Sequence, residues 1–131
     1  SQANAVAPFK RPLSSMSPTI VLEGGKPVLA VGASGGPRII TATVQVIIHT
    51  LDYGMPLGQA VAGPRVHHQW QPDEVSRNEY AADDPIIRAL VERGHVISDQ
   101  SRKAVVQAVK IEQDRLIGAS DPRKGGLPAG Y

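Results

Sequence analysis

Cysteine is absent from the 131 residues. That excludes disulfide staples, thiolate metal centres and a cysteine nucleophile, and leaves the redox compartment undecided. Aromatic side chains make up only 4% of the chain, so its core must be aliphatic, built from Val, Ile, Leu and Ala. No apolar run reaches membrane-spanning length, and no charged-then-apolar leader opens the sequence. An export signal would have to lie on residues outside this stretch. Charge of either sign is in short supply: 14 Lys and Arg stand against 12 Asp and Glu, a formal net charge of +2. With no block of like charges, charge alone does not point to nucleic acid. What is plentiful is punctuation, with 13 Gly and 11 Pro, enough for frequent turns without low complexity. The length suits one ordinary domain.

Residues 1–12 (SQANAVAPFKRP) carry two prolines and little periodicity, and read as an irregular leading segment. Residues 19–22 (TIVL) and 27–31 (PVLAV) are β-branched or aliphatic runs separated by Glu23-Gly24-Gly25-Lys26. The Gly-Gly pair supplies the positive φ angles of a hairpin turn. Pro37 then opens a long apolar stretch, 39–51, with no internal Gly or Pro and with Gly54 beyond its end. Ile40, Val44, Ile47 and Leu51 fall at helical spacing, and Ile39, Val46 and Ile48 add apolar groups on other faces, so a deeply buried helix is expected. A short helix is expected over 56–63, extended chain over 64–70 and a strand over 74–80. Asp83-Asp84-Pro85 caps a helix over 86–93 that Gly94 stops, with Ile86, Ile87, Leu90 and Val91 as its apolar face. Strands follow over 95–98, 104–111 and 116–119, the last two joined at Gln113-Asp114-Arg115; the tail 121–131 reads as irregular. The order implies an α+β fold with mostly antiparallel sheets and helices packed against them. The hairpin and the long helix would leave an aliphatic surface that another chain or further residues must cover.

Three places carry residues of chemical interest. Gly32-Ala33-Ser34-Gly35-Gly36 lies between a strand and a helix. A glycine-rich turn there directs backbone N–H groups and the positive helix end outward, which suits an anion, a phosphate or the oxyanion of acyl transfer. It is neither a P-loop nor a dinucleotide fingerprint. Spacing alone favours a plain tight turn. Ser14, Ser15 and Ser17 sit just before a strand, where serines commonly satisfy local backbone, and no Ser–His–Asp arrangement is legible. His67 and His68 are adjacent in an extended segment, so their side chains face opposite ways and a shared metal is disfavoured; both read as structural, with no metal or cofactor. Trp70 reads as a packing residue.

Taken in order, the segments are far more specific than any one of them. Asn4-Ala5-Val6, residues 10–19 (KRPLSSMSPT), Gly35-Gly36, Arg38-Ile39-Ile40, Asp52-Tyr53-Gly54, Pro64-Arg65, residues 67–70 (HHQW), Pro72-Asp73-Glu74, residues 118–123 (GASDPR) and the closing Ala129-Gly130-Tyr131 follow one another along the chain. The series resembles the C-terminal part of the small subunit of the γ-glutamyltranspeptidase (glutathione hydrolase) family, over nearly the whole chain. Residues 13–131 correspond to that part and residues 1–12 to a segment near the lid.

The resemblance implies an N-terminal-nucleophile hydrolase with a four-layer α-β-β-α sandwich, made by self-cleavage of a precursor into a large and a small subunit. It further implies that the new N-terminal threonine of the small subunit attacks a γ-glutamyl amide, with its own amino group as base. The γ-glutamyl group then passes to water or to an acceptor amino acid or peptide. Ser14 and Ser15 take the positions that help hold the donor's α-carboxylate, and Gly35 and Gly36 those of the oxyanion hole. The nucleophilic threonine, the acid gripping the donor's amino group, the lid and a large-subunit arginine match nothing in this chain. It is thus expected to work only with the rest of the small subunit and the large subunit, on glutathione or another γ-glutamyl donor, with no nucleic acid and no membrane span. Ser1 aligns beyond the nucleophile. Bacterial members of the family are commonly periplasmic or secreted. Two features depart from the family pattern: Pro37 stands where serine is usual after the glycine pair, and Ser101-Arg102-Lys103 replaces a Gly/Ser-rich stretch. The alternatives are a relative cleaving another acyl bond, such as a cephalosporin acylase or a poly-γ-glutamate depolymerase, and a non-catalytic scaffold. Retention of both serines favours an anionic glutamyl headgroup.

Overall fold

A computed structural model describes residues 4–99 and 102–130. The element order is β1 (Thr19–Glu23), β2 (Lys26–Ser34), α1 (Arg38–Leu51), α2 (Leu57–Ala62), β3 (Arg65–His67), β4 (Val75–Asn78), α3 (Pro85–Glu92), β5 (Ile97–Ser98), β6 (Val105–Glu112) and β7 (Arg115–Ser120). Four strands form one antiparallel sheet in the order β1-β2-β6-β7; β3, β4 and β5 form a small second sheet. The hairpin turns are those the residues dictate. Gly24 and Gly25 have φ of 56° and 81°, and the β6–β7 turn places Gln113 and Asp114 at 49° and 63°, the paired positive angles that match strand twist in a two-residue loop.

Helices α1 and α2 lie on one face of the larger sheet. Val31, Ala108 and Ala119 stand opposite one another on adjacent strands, and all three are buried. With Leu29, Val106, Ala42, Val46, Leu57, Ala60 and Val61 they make the core, aliphatic as the composition requires. The alternate row, Ile20, Ala30, Val109 and Gly118, faces the other way. There Ile20 is 69% exposed and Leu116 74%. This uncovered sheet face is the aliphatic surface anticipated from the sequence.

The structure corrects several expectations. Helix α1 is not buried all round: Ile39, Ala42, Thr43, Val46 and Thr50 face inward, while Ile40 and Val44 are about half exposed. Pro37 is the N-cap rather than the first helical residue. Of the expected apolar face of α3 only Ile87 is buried, because the helix meets the rest of the chain along one line; Ile86 and Val91 are more than half exposed. Its N-cap is as expected, Asp84 Oδ1 accepting from the Ile86 N–H at 2.8 Å. Residues 95 and 96 stay outside β5, which pairs with β4 in parallel rather than antiparallel fashion. Trp70 packs against no core. It has φ of 72° in the β3–β4 connection and is 74% exposed, since the left-handed backbone turns its side chain off the sheet.

Candidate active site

Strand β2 ends at Ser34 and α1 begins at Arg38, so two glycines and a proline must reverse the chain. Gly35 has φ of 142° and Gly36 of 61°, both in the region that L side chains rarely adopt. Gly36 carbonyl oxygen accepts from the Ile39 N–H at 3.0 Å, closing the first turn. Pro37, with φ of −61° and ψ of −19°, is already helical, and no side chain caps this end. Among the described residues no loop or side-chain hydrogen bond takes up the N–H of Gly35 or Gly36, and both residues are exposed. The turn therefore leaves two backbone N–H groups without a loop or side-chain partner at the positive end of a fourteen-residue helix, a place where an anion can be stabilised. The two glycines differ in surroundings. A Cβ on Gly35 would lie 2.7 Å from Ala104 Cα and 3.1 Å from the Lys103 carbonyl oxygen, whereas one on Gly36 would meet nothing within 4 Å.

Two segments pass this turn on opposite sides. Strand β2 lies between β1, with Thr19 opposite Val31, and β6, with Val105 opposite Ser34. The chain entering β1 carries Ser14 and Ser15 along one flank; the chain entering β6 carries Arg102 and Lys103 along the other. Ser14 Oγ accepts from the Met16 N–H at 3.2 Å, a local serine turn. Ser17 Oγ donates to the Ser15 carbonyl at 3.1 Å. Ser15 is half-buried, and among the described residues its own hydroxyl has no partner. On the other flank a cleft of about 520 Å³ opens against Gly35 and Gly36, walled by Arg38, His67, Ser76 and Arg102 among others; Ser14 and Ser15 are not part of it. Among the described residues the two candidate groups are thus not joined in a single pocket. Ser1, and Ser101 of the departing stretch, lie outside the described residues.

The helix behind the turn is clamped to β3. Gln45 Nε2 donates to the Val66 carbonyl at 2.8 Å, while its Oε1 accepts from the Val66 N–H at 3.0 Å, so one side-chain amide replaces a missing strand neighbour. His67 is 4% exposed. Its Nδ1 lies 2.8 Å from Thr41 Oγ1 and its Nε2 2.9 Å from Gln69 Oε1. Gln69 Nε2 donates to the Gln71 carbonyl, and Thr41 Oγ1 also donates to the Arg38 carbonyl at 3.2 Å. Both nitrogens are engaged, and His68 turns outward to Asp73 at 3.0 Å. The two adjacent side chains thus have separate partners, Thr41 and Gln69 for His67 and Asp73 for His68.

What sequence reasoning passed over is a buried charged hub. Arg65 Nη2 donates to Asp121 Oδ2 at 2.8 Å and to the Ala104 carbonyl at 3.0 Å. Asp121 Oδ2 also accepts from the Val106 N–H, and its Oδ1 from the N–H and Nη1 of Arg123. Arg123 reaches the Gly63 carbonyl and both oxygens of Glu79, to which Lys103 also donates. Burial pushes the Asp121 carboxyl up, but the Val106 N–H, Arg65 and Arg123 outweigh it and hold it below the usual carboxylate range. Burial likewise opposes ionisation of Glu79, which Lys103 and Arg123 bring below its ordinary value. Burial, then the nearby Arg123, draws the Arg65 guanidinium down against the pull of Asp121. This hub fixes Ala104, the residue on which Gly35 rests. The only sequence signal for it was charge beside proline, Pro64-Arg65 and Asp121-Pro122-Arg123.

The family model described as gamma-glutamyltranspeptidase matches residues 1–131. The chain belongs to this family. It is 44% identical over 131 residues to the glutathione hydrolase proenzyme of Escherichia coli, an alignment covering 98% of this chain and 22% of the relative. A solved mutant of the Helicobacter pylori γ-glutamyltranspeptidase superposes with a TM-score of 0.82 at 41% identity, over 95% of this chain and 69% of that one. A highly active mutant of the Pseudomonas nitroreducens γ-glutamyltranspeptidase gives 0.86 at 40% identity, over all of this chain and 69% of that one. The chain therefore spans less than a quarter of the curated E. coli relative. The α+β fold is that of the γ-glutamyltranspeptidases, N-terminal-nucleophile hydrolases in which helix and sheet layers stack. One helix layer and one sheet of such a stack are what α1, α2 and the β1-β2-β6-β7 sheet provide.

Proposed function

We propose that this chain is the part of a γ-glutamyltransferase that carries the oxyanion hole and part of the donor site. It acts within an enzyme assembled from the remaining small-subunit segment and a large subunit. The nucleophilic threonine on that other segment attacks the carbonyl carbon of a γ-glutamyl amide, glutathione being the archetype. Its hydroxyl proton passes to its own amino group and on to the leaving amine as the C–N bond breaks, leaving a γ-glutamyl ester. Water or the amine of an amino acid or peptide then attacks that ester and regenerates the threonine. Through both steps negative charge gathers on the carbonyl oxygen, and the Gly35 and Gly36 N–H groups receive it. Ser14 and Ser15 bind the donor's α-carboxylate. The observation that carries this reading is the uncapped glycine turn, with its two unengaged N–H groups at the start of α1, in a chain of this family.

Support for the partners comes from the exposed aliphatic face of the larger sheet, which a second sheet would cover. An exported enzyme, periplasmic or secreted, is consistent with the absence of cysteine, and no helix among the described residues is long and apolar enough to cross a membrane. The test is turnover of γ-glutamyl-p-nitroanilide by the complete processed protein, followed by acid quench and intact mass. Release of p-nitroaniline with a γ-glutamyl adduct on the small-subunit polypeptide is expected. Absence of both would overturn the assignment.

A further inference from the structure

We propose that Gln45 is a positioning residue for the reaction: by gripping Val66 on β3 it sets the register of α1, and with it the placement of the Gly35 and Gly36 N–H groups. The proposal rests on the acyl-transfer reading above. Pro37 is the N-cap of α1, and no side chain caps that end. Further along, Ala42 and Val46 pack into the aliphatic core. Apolar burial is non-directional, so this face resists separation from the sheet more than it resists sliding or rotation. Directional contacts are what fix a helix at one register.

Gln45 supplies such contacts. Strand β3 lies at the edge of the smaller sheet, and the Gln45 amide takes both backbone groups of Val66, Nε2 donating at 2.8 Å and Oε1 accepting at 3.0 Å. Nε2 also donates to the Thr41 carbonyl at 2.8 Å, on the same helix. The amide is thus held from strand and helix together, which leaves it one orientation. Gln45 and Val66 are both half-buried, so water is a poor substitute for these bonds. One turn nearer the glycines, Thr41 Oγ1 lies 2.8 Å from His67 Nδ1. Thr41 and Gln45 stand on one face of α1 at i and i+4, and two contacts a turn apart fix both axial position and rotation. Gln45 is about 10 Å along the helix from Arg38, with no glycine or proline between them, so the intervening turns move as one rod. A misplacement of about 1 Å at reacting groups can cost about a hundredfold in rate.

The experiment uses the complete processed protein and three variants. Gln45→Met keeps the length and removes every hydrogen bond; Gln45→Glu keeps the acceptor for the Val66 N–H and removes the donors; Ile87→Ala, in the buried position of α3, lowers stability without touching α1's polar contacts. Turnover of γ-glutamyl-p-nitroanilide is measured per processed molecule, with urea midpoints and amide hydrogen exchange alongside. Gln45→Met should lower kcat about ten- to hundredfold with KM for the donor within twofold of wild type, because the headgroup is held by Ser14 and Ser15 and not by the helix. Gln45→Glu should lose about three- to tenfold, since one of the two Val66 bonds survives. Exchange at Val66 and at Ile39, whose N–H bonds the Gly36 carbonyl, should quicken by about tenfold or more in Gln45→Met. Ile87→Ala should shift the urea midpoint and keep kcat within twofold. A Gln45→Met kcat within twofold of wild type overturns the proposal, as does an equal kcat loss in Ile87→Ala. If Gln45→Met does not fold, Gln45→Glu decides by the same split: kcat within twofold of wild type overturns the proposal. Failure of the wild type to release p-nitroaniline overturns the acyl-transfer reading instead, and exchange at Ile39 still decides whether Gln45 sets the register of α1.

Discussion

Replacing Gly35 with alanine separates crowding from backbone preference at the glycine turn. The new Cβ would sit 2.7 Å from Ala104 Cα, 3.0 Å from Ala104 Cβ and 3.1 Å from the Lys103 carbonyl oxygen. Carbon atoms rest at about 3.5–4.0 Å, so the overlap approaches ~1 Å. Ala104 cannot yield cheaply, because Arg65 holds its carbonyl and Asp121 holds the Val106 N–H two residues on. The turn must move instead. Overpacking of this kind costs about 1–3 kcal/mol, and a non-glycine residue at φ of 142° adds about 1–3 kcal/mol. Gly36→Ala is the control. Its φ of 61° carries a penalty of about 1–2 kcal/mol, but its Cβ would point into open space. Gly35→Ala should therefore lower stability of the complete protein by about 2–6 kcal/mol in denaturant unfolding, and Gly36→Ala by about 1–2 kcal/mol. Where Gly35→Ala still folds and processes, displacement of its N–H should reduce kcat toward γ-glutamyl-p-nitroanilide by about a hundredfold or more. A Gly35→Ala protein with wild-type stability and kcat within twofold of wild type would refute both the packing and the oxyanion assignment.

Asp121→Asn leaves Arg65 buried without its counter-charge and should destabilise the protein by about 3–5 kcal/mol, read from the shift in urea midpoint; a loss below about 1 kcal/mol would show the hub to be dispensable. The folded-state pKa values of Asp121 and Glu79 lie below their ordinary ones, so in the window between folded and unfolded values the unfolded chain binds more protons and stability rises with pH. The contribution is complete above the unfolded value of about 4 and is lost as pH falls through the folded one; thermal melts from pH 7 to pH 3 should show this acid loss, and Asp121→Asn should flatten it. Ser14→Ala and Ser15→Ala should each raise KM for the donor more than they lower kcat, since headgroup contacts act on ground and transition states alike. An unchanged KM in both variants would remove the serines from the donor site.

The sequence by itself determined the local elements and the family. Gly24-Gly25 required a hairpin and Asp84-Pro85 required a helix start, because each depends on backbone preferences within a few residues. The ordered series from KRPLSSMSPT to GASDPR pointed to the chemistry, which no single segment did. Only tertiary structure decided the rest. The inward face of α1 could not be read from its apolar spacing, since Ile40 and Val44 fit a helical stripe as well as Ile39 and Val46 do; docking of α1 on β2 and β6 decided which stripe is buried. Arg65, Asp121 and Arg123 are up to 58 residues apart in the chain and meet only because β3, β6 and the end of β7 converge on α2. The cleft beside Gly35 arises likewise from strand order, which sets residues 102–104 against a turn nearly seventy residues earlier. Contacts between residues so far apart carry no periodic signature, and the burial that makes a charge costly, or a glycine irreplaceable, exists only after the sheet has closed.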